Sequence, residues 1–402
     1  MINDQLAFTI CAYALAALAV AVFVSTLLAK YGFPVPAEGR RIGCVDGLRG
    51  ALALGVVVHH FVIWTLIARF GHNWEPPEIN FFNNLGAGAV ALFFMVTGLV
   101  FYPRVRAGFR QTSWIATYIN RLFRIVPLIV VSVLIVTWIA HERTGNLPGA
   151  DYPIDALKWI SAWGEPDLLN YRATYRINAY VLWSLKYEWL FYLVLMPMCA
   201  LAMDWRTRFV PSWCVPVGLF AACLILLPAT GMSVFKYLPL FAIGMVAYEI
   251  QLREDWRRPL MSRWFSLVAI LCLAVAMIWE ASPYGFFQYI LYGVFFVAVA
   301  AGNDLFGFLR LRGMLVLGEC SYGIYILHGT VLSLVFTEGA WMVQTLAIGS
   351  LPALLVPIFL IVTVVTSTAF LLVERPLIEM GAMIGRRFLA WTSTRSQLTA
   401  AP

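Results

Sequence analysis

Residues 46–64 read Asp-Gly-Leu-Arg-Gly-Ala-Leu-Ala-Leu-Gly-Val-Val-Val-His-His-Phe-Val-Ile-Trp, an apolar run with charges at its start and two histidines inside it. A helix of this length and composition predicts a membrane span. On such a helix Arg49 and His60 project from nearly the same face and lie roughly 16 Å apart along the axis. An ionisable side chain at that depth costs free energy, so His60 is a candidate functional residue.

The composition of the whole chain agrees with this interpretation. Of its 402 residues, 61% are hydrophobic and 12% are charged, against about 45–50% apolar and about 25% charged in soluble domains. Unbroken apolar runs of roughly 18 residues or more predict membrane-spanning helices. They also argue against a β-barrel, whose strands alternate in polarity and are about ten residues long. We therefore expect an all-α integral membrane protein, a polytopic helical bundle.

Eleven apolar segments are predicted to span the membrane, and basic residues fill every second connection between them. The segments are 6–28, 48–67, 85–102, 125–140, 180–203, 213–230, 237–250, 264–280, 285–301, 314–336 and 351–373. Because cytoplasmic loops are rich in Lys and Arg, the alternation predicts an N-terminus outside and a C-terminus in the cytoplasm. It also accounts for the net charge of +7 without nucleic acid as a partner.

The chain is expected to fall into three regions. Residues 1–40 would form an extra N-terminal transmembrane helix and a cytoplasmic linker. Residues 41–378 would form a membrane domain of ten helices, and residues 379–402 a cytoplasmic tail.

His60 and Arg49 together suit transfer from a phosphorylated cytoplasmic donor to an acceptor hydroxyl. A neutral imidazole can accept a proton near neutral pH, and a guanidinium forks well onto phosphate oxygens. The alternative is that His60 only hydrogen-bonds to a neighbouring helix and Arg49 only anchors the membrane interface. His59 faces about 100° around the helix, so we expect it to be structural.

Arg121 and Arg124 lie at i and i+3, on one helix face at the predicted cytoplasmic border. With Arg49 they could hold a nucleotide 3′-phosphate and a pyrophosphate, and Arg104 is a further candidate. The alternative is simple anchoring of the helix by its positive charge, which needs no ligand.

Two other predicted spans carry polar side chains. Glu188 is expensive in lipid unless it is paired or faces a wet cavity, so it serves either catalysis or a structural pair between helices. Tyr322, Tyr325 and His328 recur at spacing three and share a helix face. His328 is therefore a candidate catalytic residue in a polar cavity, or it makes a hydrogen bond between packed helices.

Two acids are interpreted as structural supports that hold arginines in place: Asp46 beside Arg49, and Glu374 beside Arg375 at the end of the last span.

No metal site is predicted, because the seven cysteines lack metal-ligand spacing and no Asp/Glu cluster occurs. The chain also lacks a phosphate-binding glycine loop, His-Glu-x-x-His and Gly-x-Ser-x-Gly.

Six short motifs, taken in order, resemble the acyltransferase-3 family of bacterial membrane acyltransferases. They are Asp46-Gly-Leu-Arg-Gly50 followed by His60, Phe93-Phe-Met-Val-Thr-Gly98, Arg121-Leu-Phe-Arg-Ile-Val-Pro127, Trp183-Ser-Leu-Lys-Tyr-Glu188, Ser321-Tyr-Gly-Ile-Tyr-Ile-Leu-His328 and Glu374-Arg-Pro376. The resemblance covers residues 41–378. Thr97 departs from it, since the family commonly has serine there, but the hydroxyl is kept.

The resemblance implies a membrane-bound O-acyltransferase of the bacterial inner (cytoplasmic) membrane. It would move an acyl group, usually acetyl from acetyl-CoA, to a hydroxyl of a surface or secreted carbohydrate or a lipid-linked glycan. By carry-over, His60 would be the essential base, Arg49 its partner, and Arg121 and Arg124 would act near the donor. Glu374 would be the acidic residue at the end of the last helix.

Several alternatives stay open at this point. The same arginines and histidines could line the path of a transporter or flippase for an anionic glycolipid, or serve packing alone in a scaffold subunit. Acyl transfer could be direct or pass through an acyl-histidine. In the loop 141–179, Trp159 and Trp163 could stack on a sugar or belong to an interfacial aromatic belt.

Overall fold

The computed structural model describes residues 2–35, 42–207 and 209–399, and every regular element in these ranges is helical. The α-helices are α1 (Asp4–Lys30), α2 (Gly43–Phe70), α3 (Asn80–Ala107), α4 (Trp114–Thr144), α5 (Tyr152–Ser161), α6 (Leu185–Leu190), α7 (Met196–Trp205), α8 (Cys214–Thr230), α9 (Leu238–Gln251), α10 (Glu254–Leu260), α11 (Arg263–Trp279), α12 (Phe286–Ala301), α13 (Arg312–Glu319), α14 (Ser321–Thr337), α15 (Ala340–Thr345), α16 (Leu355–Ala369) and α17 (Arg375–Thr399). Short 3₁₀ turns cover Thr174–Arg176, Val181–Ser184, Ser233–Lys236, Phe308–Arg310 and Leu351–Leu354, and π turns cover Phe191–Leu195 and Phe370–Glu374.

The protein is a multi-pass helical membrane protein, as predicted, and each of the eleven apolar segments falls on helix. In the described ranges, seven helical stretches are long and apolar enough to cross a membrane. Two bent pairs, α10–α11 (72°) and α13–α14 (73°), raise the number to nine. The predicted sixth and ninth spans, α8 and α12, have only 17 and 16 residues. They reach about 25 Å, less than the ~30 Å hydrocarbon core.

The N-terminal helix α1 is an integral part of the bundle. It packs on α13 and α16 and buries Leu6, Ile10, Ala17 and Ala21. The predicted boundary between residues 40 and 41 lies outside the described residues.

The last span continues beyond the predicted end at Glu374. The π turn Phe370–Glu374 leads directly into α17, which packs along α4. The expectation that Glu374 marks the helix end and holds Arg375 is wrong, because the turn directs Glu374 inward (1% exposed) while Arg375 Nε pairs with Glu379 Oε1 at 2.9 Å. The predicted start of the tail at residue 379 therefore falls inside α17.

The crossing of α3 and α9 depends on glycine. Gly98 lies so close to the Phe241 carbonyl, and Gly244 so close to the Met95 carbonyl, that a Cβ on either glycine would overlap the facing backbone. Small residues let helix backbones approach in this way inside membranes. The crossing fixes α3, and with it one wall of the site described below.

A Gly98→Leu variant is expected to lose its folded state. Overpacking a core that can shift costs about 1–3 kcal/mol, and here the obstacle is backbone, which has less room to move. We expect an aggregated profile in detergent size-exclusion chromatography. The control is Gly218→Leu in α8, where a Cβ meets no atom within 4 Å. Equal monodisperse yields of the two variants would contradict this account of the crossing.

Candidate active site

A cavity of about 400 Å³ lies at the end of the bundle where α2 and α14 begin and α3 and α9 finish. We call this end the basic end, because Arg49, Arg121 and Arg124 line the cavity there. The polar lining is Asp46, Arg49, Thr97, Arg121, Arg124, Ser184, Glu188, Tyr192, Tyr248, Gln251, Ser321, Tyr322 and Tyr325. Five of the six sequence motifs contribute side chains to this lining, and the exception is Glu374-Arg-Pro376. The cavity therefore brings together residues that are far apart in the chain.

Arg49 is held at the cavity wall from two sides. Its Nη2 donates to Ser321 Oγ (2.9 Å), and its Nη1 lies 3.3 Å from Asp46 Oδ1. The glycines of this motif let α2 approach its neighbours, since a Cβ at Gly47 would overlap the Leu309 carbonyl. Asp46 and Ser321 thus fix the orientation of the guanidinium.

Arg121 and Arg124 face the same cavity from the first half of α4. The Arg121 guanidinium lies 4.8 Å from the centre of the Phe101 ring, and that of Arg104 lies 5.2 Å from the same centre. Arg104 stands behind Phe101, outside the lining itself. Stacking on the ring orients these cations, and the basic end offers an anionic ligand several positive charges.

Glu188 and Tyr192 form a hydrogen-bonded pair in the cavity lining. The Tyr192 hydroxyl donates to Glu188 Oε2 (3.0 Å), and Arg121, Arg124 and Arg49 are close enough to act on the carboxylate. Tyr192 lies in the π turn Phe191–Leu195, and such turns are frequent at functional sites. Sequence reasoning missed Tyr192, although its spacing of four residues from Glu188 already places the two side chains on one helix face.

Glu374 lies in the second π turn and is buried near the same arginines. It is 1% exposed, and within the described chain neither carboxylate oxygen has a hydrogen-bond partner. Arg124 and Arg49 supply the nearby positive charge. Glu374 therefore interacts with these arginines through its charge at a distance, without a hydrogen bond to them.

His60 and His328 are in direct contact deeper in the bundle. His60 Nδ1 lies 3.0 Å from His328 Nε2, and the two side chains are 9% and 0% exposed. Neither residue belongs to the lining of the cavity. The sequence placed each histidine on its own helix, and the structure joins them.

The backbone carbonyls next to the two histidines determine which ring nitrogens carry protons. His328 Nδ1 lies 2.8 Å from the Ile324 carbonyl, and His60 Nδ1 lies 3.1 Å from the Val56 carbonyl. A carbonyl only accepts, so each Nδ1 donates. With one proton on His60 Nδ1, that N–H is shared between the Val56 carbonyl and His328 Nε2, and Nε2 is the basic nitrogen of His60 in this tautomer.

Trp74 covers the histidine pair on the side away from the basic end. Its ring stacks on His60 with centroids 6.1 Å apart and planes 23° apart, and it also contacts Trp64 and Tyr175. Gly71, in the left-handed region at φ 68°, ends α2 and turns the chain back toward His60. No sequence pattern marked Trp74, because its role depends on this return of the chain.

His59 belongs to helix packing. Its Nδ1 donates to the Phe82 carbonyl (2.9 Å), and its ring fills the space beside Gly86, where a Cβ would lie 2.5 Å from His59 Cδ2. The structure thus separates the two adjacent histidines by their partners: His59 contacts a backbone, and His60 contacts a second histidine.

The segment 162–180 forms the opposite end of the site, and its backbone is strained. Ala162, Leu169, Asn170, Ala173, Ala179 and Tyr180 all have φ between 53° and 59°. Non-glycine residues rarely adopt this region, and clusters of them occur at functional sites.

Trp159 is fully buried and donates its Nε1–H to the Pro166 carbonyl. It can neither stack on a sugar nor sit in an interfacial belt, whereas Trp163 is 68% exposed.

Glu165 connects this segment to the fifth span. Its Oε1 accepts from the Leu182 amide (3.2 Å), and its Oε2 is buried with no hydrogen-bond partner among the described residues. Loss of water around the carboxylate raises the pKa of Glu165 to about 8. A folded-state pKa above the ordinary 4.5 means that the folded state binds the proton more tightly, so stability falls as pH rises from 4.5 to about 8.

We expect Glu165→Gln to raise the melting temperature by an amount that increases from pH 5 to pH 8, because the amide resembles the protonated acid and can still accept from Leu182. Thermal unfolding in detergent measures this difference. Glu142→Gln, at an exposed position before the same loop, is the control. A Glu165→Gln difference that is constant with pH, or that shrinks toward pH 8, would contradict the assignment.

No group of three or more His, Cys, Asp or Glu side chains with the arrangement of a metal site occurs in the part of the chain that the structure describes. The groups that the site presents are guanidinium, imidazole, carboxylate and hydroxyl.

Comparison with known proteins gives one match. The family model described as an acyltransferase domain matches residues 42–372, from the start of α2 into the π turn Phe370–Glu374. No curated protein and no solved structure matches the chain. The matched region contains the cavity and the histidine pair and leaves out α1.

Proposed function

The chain belongs to the acyltransferase-3 family, and we propose that it moves an acyl group, acetyl in the first instance, from a coenzyme A thioester to a hydroxyl of a surface or secreted carbohydrate. The family makes it a membrane acyltransferase. The observation that supports the finer proposal is the cavity lined by Arg49, Arg121 and Arg124, whose inner wall at Tyr325 adjoins His328 and so the pair His328–His60.

The donor occupies the cavity with its phosphates at the basic end. Coenzyme A carries a 3′-phosphate and a pyrophosphate on its nucleotide, and arginine forks bind such groups bidentately. Arg49, Arg121 and Arg124 face the cavity, and Arg104 adds charge behind Phe101. The pantetheine arm then runs inward along the wall that Glu188 and Tyr192 share, and it carries the thioester toward Tyr325.

His60 acts as the base. Its Nε2 takes the proton of the acceptor hydroxyl while that oxygen attacks the thioester carbonyl. The C–S bond then breaks, and the departing thiolate takes the proton back from the imidazolium. His328 Nε2 accepts from His60 Nδ1–H, and this hydrogen bond holds the ring and strengthens as the imidazolium forms. Attack by His60 Nε2 itself, through an acyl-histidine, uses the same hydrogen bond.

The basic end faces the cytoplasm of a bacterium in this proposal. Arg104 and Arg106 lie in the last turn of α3, Arg110 follows it, and Arg121 and Arg124 lie in the first half of α4. Such clusters mark cytoplasmic connections in the inner membrane. The N-terminus of the chain is then outside and the C-terminus in the cytoplasm. The acceptor, a carbohydrate or a lipid-linked glycan, approaches from the segment 162–180 or laterally from the bilayer. No nucleic acid takes part.

The proposal is tested with purified protein in proteoliposomes, acetyl-CoA labelled in the acetyl group, and a glycan extract. We expect label in the glycan as a base-labile ester, together with free coenzyme A thiol. Movement of glycan across the bilayer without label in it would favour a transporter. Loss of label to water alone, with no glycan ester, would contradict the carbohydrate acceptor.

A further inference from the structure

We propose that the ring of Tyr325 is the partition between the donor cavity and the histidine pair, and that its size restricts the transferred acyl group to short chains. This inference rests on the proposed function and goes beyond it, because it assigns acyl selectivity to one side chain.

Tyr325 is positioned between the two parts of the site. It lines the cavity, and its ring centre lies 6.4 Å from that of His328 and 6.2 Å from that of Phe93. On α14 it precedes His328 by three residues, so the two side chains are stacked along one helix face. A thioester that enters from the basic end meets this ring before it reaches His60.

Hydrogen bonds hold the ring in place. The Tyr325 hydroxyl donates to the Val181 carbonyl (3.0 Å) and lies 2.8 Å from Ser184 Oγ, which then donates to it. Both partners belong to the 3₁₀ turn Val181–Ser184. Tyr325 is 7% exposed and Ser184 is 5% exposed. The ring therefore cannot swing aside without breaking contacts that the buried surroundings do not replace.

The consequence concerns the acyl chain. The carbonyl carbon must come within reach of the hydroxyl that His60 deprotonates, so the rest of the acyl group lies against the ring of Tyr325. An acetyl group needs little room beyond the carbonyl. A longer chain has to displace the ring or fold back beside Phe93, in a wall that is closely packed.

The test measures kcat/KM with acetyl-, butyryl-, hexanoyl- and octanoyl-CoA for the full-length protein in lipid nanodiscs, with one glycan acceptor. The wild type is expected to prefer the acetyl donor. Tyr325→Leu is expected to lower the ratio of acetyl to hexanoyl transfer at least tenfold. Tyr325→Phe keeps the ring, so its ratio is expected within threefold of the wild type even where its rate is lower.

Tyr322→Leu is the matched control. Tyr322 also lines the cavity, one turn nearer the basic end, and its hydroxyl donates to the Ile125 carbonyl. If Tyr325→Leu aggregates, Tyr325→Met takes its place. The inference is overturned if the ratio of acetyl to hexanoyl transfer by Tyr325→Leu, or by Tyr325→Met in its place, stays within threefold of the wild type. It is also overturned if Tyr325→Phe or Tyr322→Leu lowers that ratio as strongly. A wild type that transfers no acyl group from any of these donors contradicts the proposed function instead.

Discussion

Exchange of His60 for alanine is expected to lower kcat for acyl transfer by about 10²–10⁴-fold, the usual contribution of a positioned general base. Donor affinity is expected to stay within about threefold, because His60 lies outside the cavity that holds the phosphates. The variant removes the group to which we assign the hydroxyl proton, and it leaves His328 Nε2 without its donor. The measurements are initial rates of thiol release and a separate binding titration with acetyl-CoA.

His59→Gln is the matched control for this variant. His59 is the neighbouring residue in the same helix, and its partner is the Phe82 carbonyl, not a second histidine. We expect a lower melting temperature and a kcat within tenfold of the wild type. If His59→Gln removes activity as completely as His60→Ala while both proteins remain folded, the roles assigned to the two histidines are wrong.

The second large effect is expected at Arg49. Arg49→Lys keeps the positive charge and loses the fork that binds Ser321 on one side and faces Asp46 on the other. Charge-assisted hydrogen bonds contribute about 1.5–3 kcal/mol each, so we expect the Kd of acetyl-CoA to rise about 10–100-fold. Isothermal titration with the purified protein measures this change.

A donor without phosphates separates charge recognition from packing. With acetyl-pantetheine, which lacks the nucleotide and its phosphates, wild type and Arg49→Lys are expected to bind equally weakly. A Kd for acetyl-CoA that does not change in Arg49→Lys would contradict the phosphate role of Arg49. An equal loss with both donors would assign Arg49 to the shape of the cavity instead.

The sequence predicted the helical membrane fold because hydropathy is a local property. Each of the eleven apolar segments is helical, and α2 and α3 include the predicted spans 48–67 and 85–102. The bends between α10 and α11 and between α13 and α14, and the helix that continues past Glu374, depend on packing against other helices. A single run of residues carries no signal for such contacts.

For the candidate site, too, the sequence predicted which residues share a helix face but not which helices contact each other. Periodicity placed Arg49 and His60 on one face of a helix, and Tyr322, Tyr325 and His328 on one face of another. It could not reveal that His328 contacts His60, because that contact joins residues 268 positions apart. The role of Trp74 depends on a chain reversal that has no sequence pattern of its own, whereas Tyr192, four residues after Glu188, could have been found from that spacing.

The most direct test of acyl transfer through His60 is the balance of products in one reaction with doubly labelled donor, acetyl-CoA labelled in the acetyl group and in the nucleotide. We expect one glycan ester for each coenzyme A released by the wild type, and neither product above background from His60→Ala that still binds the donor. Glycan ester in equal yield from wild type and His60→Ala would contradict the role of His60 as the base.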